Sequence, residues 1–323
     1  MTVLVGCSGW SYDDWVGRFY PVELAKKKGE WFDYYASYFT TVEINSTFYR
    51  PPGEFQVRSW IKKAKAKEGF EYSVKMPQLV THKSMVNGDV MKSAEMASSF
   101  ERTCVLPLAE EGILGCVLLQ LSPYFKNDGR SLSILEGVLD SLSCDEHSYA
   151  VEFRHRSWLD RAGARAEANA NAGASSGAKA GAELDSAVQD ALSIRNVANV
   201  QIDGPGFPIT SEETADHSYI RFHGRNRDIW YKEEKEDDYR LNRYDYLYDK
   251  KQLEAWVPRI RSAEIKAEKV RVYFNNHARS KAVRNAFLLM DMLMIEHKSK
   301  EIQLQDQYTL GSFVKDLSTA CSL

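Results

Sequence analysis

The sequence predicts an α/β protein, a single barrel of eight parallel strands with helices packed on its outside. Three observations lead to this prediction. Eight short runs are rich in β-branched and aromatic residues, most gaps between them have room for a helix, and the strand and helix patterns alternate along the 323 residues. Such alternation is typical of parallel βαβ units, and eight units are the number that closes a TIM (β/α)8-type barrel.

The predicted elements follow one another in a regular order. The strands are VLVGCS (3–8), TVEIN (41–45), YSVK (72–75), CVLLQL (116–121), YAVEFR (149–154), VANVQID (197–203), YIRFH (219–223) and VRVYFN (270–275). Apolar spacing near 3.6 residues predicts helices over 30–39, 54–66, 94–110 with an interruption at Pro107, 131–142 and 281–295. A doubly wound open sheet is the competing architecture, but no GxGxxG follows a strand and the GCSGW turn is not a phosphate loop.

We expect residues 1–323 to form one barrel domain with two additions. Residues 161–183 consist almost wholly of Ala, Gly, Ser and Asn with scattered charges, which predicts a low-complexity insertion after strand five. It would lie on the catalytic side of the barrel, where it could act as a lid; a tolerated surface insertion is the alternative interpretation. Residues 300–323 are expected to form a C-terminal extension or helix.

The composition disfavours several functional classes for this protein. A net charge of -3 with 27% charged residues gives no global reason to expect a polyanionic partner, so nucleic-acid binding would need a local basic patch. The five cysteines form no CxxC pair, which disfavours a zinc finger or a disulfide scaffold. No secretory signal and no run of about 18 apolar residues occur. We expect a cytoplasmic protein without membrane association.

Side chains of a barrel strand point alternately outward to the helices and inward to the axis. In strand two, Val42 and Ile44 alternate with Glu43 and Asn45. Because helices cover the outside of a parallel barrel, we expect the apolar set to face outward and the polar set to face the axis, near the C-terminal strand ends where barrel active sites lie. The predicted inward set contains the acids Glu43, Glu152 and Asp203, the bases Lys75, Arg154, Arg221 and His223, and the amides Asn45, Gln120 and Asn275.

Several of these segments resemble one known family. EINSTFYR at 43–50 and EFRHRSW at 152–158, together with GCSGWSYDDW, SVKMPQLVTH, YIRFHGRN and VYFNNHARSKAVRNA, are similar to the YecE-like family, domain of unknown function 72. The resemblance covers nearly the whole chain and implies a TIM barrel, distantly similar to those of the xylose isomerase and endonuclease IV type. It implies no particular reaction. The insertion at 161–183 and Ser280, where relatives often have Gly, depart from the family pattern.

The leading functional hypothesis is an enzyme that acts on a phosphorylated or otherwise anionic small molecule, because titratable groups that converge on a barrel mouth are the usual sign of an active site. Glu43 and Glu152 are the acid/base candidates, and His223 would assist proton transfer. The remaining candidates would bind substrate: Lys75, Arg154 and Arg221 through its charge, and Trp10, Asn45, Gln120, Asp203 and Asn275 through stacking or hydrogen bonds.

Other interpretations remain open at this stage. The inward charges could form a self-satisfied salt-bridge network that plugs the barrel. The protein could instead bind nucleic acid or act as a metal-dependent phosphodiesterase, or bind a ligand without catalysis. A divalent metal could use His82, His155, His223 or His277 with the acids, but no HxH or HExxH spacing fixes two ligands, so no cofactor is predicted. No oligomeric state follows from the sequence.

Overall fold

The computed structural model describes residues 2–160, 182–210, 212–227 and 243–302. Within these ranges the strands close into a parallel barrel in which each strand pairs with its neighbour in the chain and the last pairs with the first. The predicted α/β barrel of eight parallel strands is therefore confirmed. The strands are β1 (Thr2–Ser8), β2 (Thr41–Ile44), β3 (Glu71–Lys75), β4 (Leu114–Gln120), β5 (Tyr149–Glu152), β6 (Val197–Asp203), β7 (His217–Phe222) and β8 (Lys269–Phe274).

Helices cover the outside of the barrel. The predicted helix over 94–110 is divided by a π-helical turn, Glu101–Val105, and its second half begins with Pro107 in the first turn, where proline is tolerated. The predicted helix over 30–39 is only one turn long. The described helices are α1 (Trp31–Tyr35), α2 (Ser46–Tyr49), α3 (Glu54–Lys65), α4 (Val90–Phe100), α5 (Leu106–Glu110), α6 (Arg130–Leu139), α7 (Ser186–Ser193), α8 (Lys250–Glu254), α9 (Val257–Lys266) and α10 (Lys281–Met292).

The apolar side chains of most strands face the helices, as the alternation predicts. Val42 and Ile44 of β2 are buried in the large core between strands and helices. Cys7 lies in the same layer, and burial raises the pKa of its thiol. Trp15 and Trp158 are buried under loops, where their indole N–H groups donate to the backbone oxygens of His277 and Phe125. These two tryptophans cap the core.

The interior of the barrel is filled mostly by polar and aromatic side chains. Near its N-terminal end, Arg271 donates to Glu71 at 2.6 Å, and both residues are buried. Above this pair the hydroxyl of Tyr273 lies 2.6 Å from Thr41 Oγ1 and 2.8 Å from Ser73 Oγ. Hydrogen bonds therefore link β2, β3 and β8 through the interior, and they supply partners that buried polar groups require.

Strand β6 has the opposite register to the predicted one. Val200 and Ile202 were expected to face the helices, but they belong to the small apolar cluster inside the barrel, with Tyr219 and Tyr273. The expectation that Asp203 faces the axis is therefore wrong. Its side chain points to the outer layer, where polar partners from the following loop and helix satisfy it.

Part of the predicted organisation lies outside the described residues. Only Ala182 and Glu183 of the predicted insertion are described, and Ala182 forms a bridge with Thr210. Of the predicted extension, Lys300 is described and donates to the backbone oxygen of Phe19 at 2.9 Å. In the portions of the chain that the structure covers, no helix has the length and apolarity needed to cross a membrane.

Gly6 of β1 allows β1 and β2 to approach each other closely. A Cβ atom at this position would lie 2.4 Å from the backbone oxygen of Thr41, and the backbone of β2 cannot yield without disturbing the barrel. We expect Gly6→Ala to lower the free energy of unfolding in urea by about 2–3 kcal/mol, the range of an overpacked core. Gly29→Ala is the control, since no heavy atom lies within 4 Å of a Cβ there. Equal effects of the two substitutions would contradict this account.

Candidate functional site

A group of polar side chains lies at the C-terminal ends of the strands, inside the barrel. Their contacts join strands that are not neighbours in the sheet, such as β2 and β7, and such contacts are possible only through the interior. This confirms the inward orientation that the sequence predicts for most of the set. We call the group the mouth cluster; it consists of Glu43, Asn45, Lys75, Gln120, Glu152, Arg154, Arg221, His223 and Asn275.

Arg221 lies between the two glutamates. Its Nη2 donates to Glu43 Oε1 at 2.6 Å, and its Nη1 donates to Glu152 Oε2 at 2.5 Å. All three side chains are buried. Burial alone would lower the pKa of Arg221, but the charges of Glu152 and Glu43 raise it above its usual value. Arg221 therefore stays charged and joins β2, β5 and β7.

The remaining carboxylate oxygens also accept hydrogen bonds. Glu43 Oε2 accepts from the hydroxyl of Tyr219 at 2.7 Å, and Glu152 Oε1 accepts from Arg154 Nη1 at 2.6 Å. Burial raises the pKa of Glu152, yet the positive charge of Arg221 and of the other neighbours outweighs burial, so the pKa lies well below its usual range. Glu152 is therefore an ionised group that anchors two arginines.

Lys75 ends β3 and is placed precisely by its neighbours. Its backbone N–H donates to Thr47 Oγ1 at 3.1 Å, and the Thr47 hydroxyl donates back to the Lys75 oxygen at 2.7 Å. Its Nζ donates to Gln120 Oε1 at 3.0 Å and lies 3.9 Å from the centre of the Phe48 ring. Burial, followed by the charge of Arg221, lowers the pKa of Lys75 to about 7.

His223 lies at the top of the cluster. Asn275 Nδ2 lies 3.0 Å from His223 Nδ1, and His223 Nε2 lies 3.4 Å from both Glu152 Oε1 and Arg154 Nη1. Burial lowers the pKa of His223 to about 4 although Glu152 opposes the effect. Asn45 Nδ2 lies 3.5 Å from Asn275 Oδ1 and completes this edge. His223 is therefore neutral near pH 7.

The sequence interpretation missed Phe48, on one edge of the mouth, and considered its neighbour His82 only as a metal ligand. Phe48 from α2 packs against Lys75, and its ring centre lies 4.8 Å from that of His82. Burial and the nearby charges of Lys75 and Arg154 lower the pKa of His82 to about 4. The signal for Phe48 was present, because the STFY turn directly follows β2 and a residue there reaches the mouth.

Two predicted members lie elsewhere. The Asp203 carboxylate accepts from Arg225, Tyr248 and Trp256 in the outer layer. The ring of Trp10 packs against Phe32 and Tyr72, with centres 5.5 Å and 6.3 Å apart, and both partners belong to the outer core. We therefore place Asp203 and Trp10 outside the mouth cluster.

The histidines do not converge in the described part of the chain. His155 contacts Ser157, and His277 stacks on Tyr12 with ring centres 4.3 Å apart. No group of at least three His, Cys, Asp or Glu side chains suited to a metal ion occurs among the described residues. The groups of the mouth cluster that can bind or react with a ligand are its amine, guanidinium, imidazole and amide groups.

The described mouth cluster favours an anion. Glu43 and Glu152 supply two negative charges, and Arg154, Arg221 and protonated Lys75 supply three positive charges. The excess lies at the outer edge, because Arg221 is buried between the carboxylates whereas the Arg154 side chain is 19% exposed. A partly buried excess charge in surroundings of low dielectric attracts a counter-ion strongly.

Comparison with known proteins identifies relatives along almost the entire chain. The family described as "Protein of unknown function DUF72" matches residues 4–308. The UPF0759 protein YunF of Bacillus subtilis (strain 168) is 25% identical over 297 residues, which cover 91% of this chain and 96% of YunF. These matches span the described barrel.

Solved structures agree with this assignment. The crystal structure of a DUF72 family protein from Thermotoga maritima has a TM-score of 0.73 and 30% identity, covering 91% of this chain and 100% of that one. A DUF72 family protein from Enterococcus faecalis, 20% identical, has a TM-score of 0.68 and covers 94% of this chain and 100% of its own; it supports the fold. The chain therefore belongs to the DUF72 family, whose function is described as unknown.

Proposed function

We propose that this protein is an enzyme that binds an anionic small molecule, such as a phosphate ester or a carboxylate, in the mouth of the barrel. The observation that carries the proposal is the uneven distribution of charge in the mouth cluster. Among the described residues, Arg221 lies between the two buried glutamates, Arg154 pairs with Glu152 nearer the surface, and protonated Lys75 adds a third positive charge to these two negative ones.

Arg154 and Lys75 have complementary roles in this proposal. The Arg154 guanidinium suits two oxygens of a phosphate or carboxylate, and Glu152 fixes its orientation at 2.6 Å. Lys75 adds a point charge whose magnitude depends on pH near neutrality, because its pKa is about 7. His223, Asn45 and Asn275 supply neutral groups that can hydrogen-bond the rest of the ligand.

The predicted acid/base role of Glu43 and Glu152 is less favoured than their structural role. Every oxygen of the two carboxylates already accepts a hydrogen bond, from Arg221, Tyr219 or Arg154. A general base must be within reach of the proton it removes and must have a lone pair directed to it. We therefore assign proton transfer to the two other titratable groups of the mouth cluster whose pKa values are lowered, His223 and Lys75.

Calorimetric titration with 2-phosphoglycolate and glycerol 3-phosphate tests the binding proposal. We expect Arg154→Gln to weaken binding about 10–100-fold, because a charge-assisted hydrogen bond contributes about 1.5–3 kcal/mol. Arg50→Gln is the matched control, since Arg50 is an exposed arginine at the end of α2. Equal effects of both substitutions, or no binding of either compound to the unmodified protein, would contradict the proposal.

The pH dependence of the same titration reports on Lys75. Protonated Lys75 attracts the anion and neutral Lys75 does not, so the affinity should fall as the pH rises from 6 to 8 through the pKa of about 7. Lys75→Met should remove this dependence. Binding of oligonucleotides that falls steeply with salt, without binding of phosphate esters, would favour the alternative of a nucleic-acid-binding protein.

A further inference from the structure

Lys75 differs from the other buried cations of the barrel in its partners. Arg221 and Arg271 each contact glutamates, but within the described ranges no carboxylate oxygen lies within 4.0 Å of Lys75 Nζ. Its only polar partner there is the amide oxygen of Gln120, at 3.0 Å. Buried lysines normally need a paired charge, so this arrangement is costly for the charged form of the amine.

Burial and the charge of Arg221 disfavour protonation of Lys75 Nζ and outweigh the opposing charges of Glu152 and Glu43, while the neighbouring side chains hold the amine in place. The Phe48 ring covers one side at 3.9 Å, and the side chain is 7% exposed. Thr47 fixes the backbone on both sides of the Lys75 peptide. The outcome is an amine that is largely neutral slightly above pH 7, since burial and Arg221 lower its pKa to about 7.

We propose that Lys75 is the catalytic nucleophile of this site and forms an imine with the carbonyl carbon of an anionic aldehyde or ketone. The inference rests on the proposed function, because Arg154 would hold the anionic group while Nζ faces the carbonyl. Lysines that act in this way are desolvated or lie beside another cation, and Lys75 meets both conditions.

The reaction balances without an oxidant or a metal. The lone pair of the neutral amine forms the C–N bond, the C=O π bond breaks, and one proton moves from the nitrogen to the oxygen to give a neutral carbinolamine. The carbinolamine then loses its oxygen as water while the nitrogen releases a proton, so amine plus carbonyl gives imine plus water. Gln120 Oε1 can accept the remaining N–H of the carbinolamine, and the His223 imidazole lies at the same edge of the cluster.

Reductive trapping tests the inference directly. The full-length protein is incubated with glycolaldehyde phosphate and sodium cyanoborohydride at pH 7.5, and the labelled lysine is located by peptide mass spectrometry. We expect Lys75 to be labelled at least about tenfold faster than surface lysines, because an amine in contact with water is mostly protonated at pH 7.5. Lys75→Arg keeps the charge and should abolish the fast phase, whereas Lys83→Arg, a change at an exposed lysine near the mouth, should leave it unchanged.

The arms of the experiment distinguish the inference from the proposed function. Labelling of Lys75 that saturates with probe and is suppressed by inorganic phosphate supports both. Fast labelling of Lys75 that glycolaldehyde reproduces and phosphate does not suppress supports the nucleophile but overturns the anion site. Calorimetric binding of phosphate esters with no preference for Lys75 in trapping overturns the nucleophile and leaves the anion site intact.

Discussion

Arg221→Met is expected to lower the free energy of unfolding by about 3–5 kcal/mol, because it leaves two buried carboxylates without the cation between them. Arg221 contacts Glu43 at 2.6 Å and Glu152 at 2.5 Å, and both glutamates are fully buried. Equilibrium unfolding in urea measures the change. Arg195→Met is the control, since Arg195 pairs with Asp140 at 2.6 Å near the surface, where an ion pair contributes about 0.2–1 kcal/mol.

A triple variant shows whether the loss comes from the unpaired charges. Combining Arg221→Met with Glu43→Gln and Glu152→Gln removes the cation and both anions together, so most of the lost stability should return. If Arg221→Met costs no more than Arg195→Met, the mouth cluster does not depend on this ion-paired centre. If the triple variant remains as unstable as the single one, the loss has a cause other than charge.

Asp203→Asn is expected to cost about 3–5 kcal/mol, although the carboxylate lies outside the mouth cluster. Asp203 accepts two hydrogen bonds from Arg225, at 2.8 Å and 2.6 Å, and others from Tyr248 and Trp256. All the partners are donors, so an amide at this position would direct its own N–H groups toward a donor. The side chain is 2% exposed, which prevents water from replacing the lost partners.

The matched control for this prediction is Asp190→Asn, at an exposed position of α7. It should change the free energy of unfolding in urea by less than about 0.5 kcal/mol. A small effect of Asp203→Asn, combined with a large change in phosphate-ester affinity, would contradict the outward register of β6 and return Asp203 to the substrate-binding set.

The sequence predicted the barrel because its strong signal was repeated. Alternation of apolar and polar residues in β2, β5 and β7 gave Glu43, Glu152 and Arg221 the same inward orientation, and the structure confirms it. Alternation gives the correct orientation of a strand where only apolar helix surfaces cover its outer face, since a polar residue cannot be accommodated there.

Strand β6 shows why the same argument can fail. Both faces of a barrel strand are buried, so alternation defines two faces without stating which one faces the helices. The outward Asp203 is satisfied by Arg225, Tyr248 and Trp256, which come from later parts of the chain. No local pattern in VANVQID predicts these partners. Tertiary contacts therefore decide which face of a strand with polar residues points to the helices.

The chemical roles of the mouth residues could not be predicted from the sequence either. The sequence suggests Glu43 and Glu152 as acid/base candidates, but hydrogen-bond donors on β7 and just after β5 occupy all their carboxylate oxygens. The opposite holds for Lys75, whose distinctive feature is the absence of a carboxylate partner within the described ranges. Such properties depend on the arrangement of several strands.

Two of the buried ion pairs join the first half of the chain to the second. The first four strands supply the carboxylates of Glu43 and Glu71, and the last four supply the guanidinium groups of Arg221 and Arg271 that pair with them. A fragment ending after β4 would lack the guanidinium partners of Glu43 and Glu71. These interior carboxylates therefore find their cationic partners only when both halves of the chain fold together.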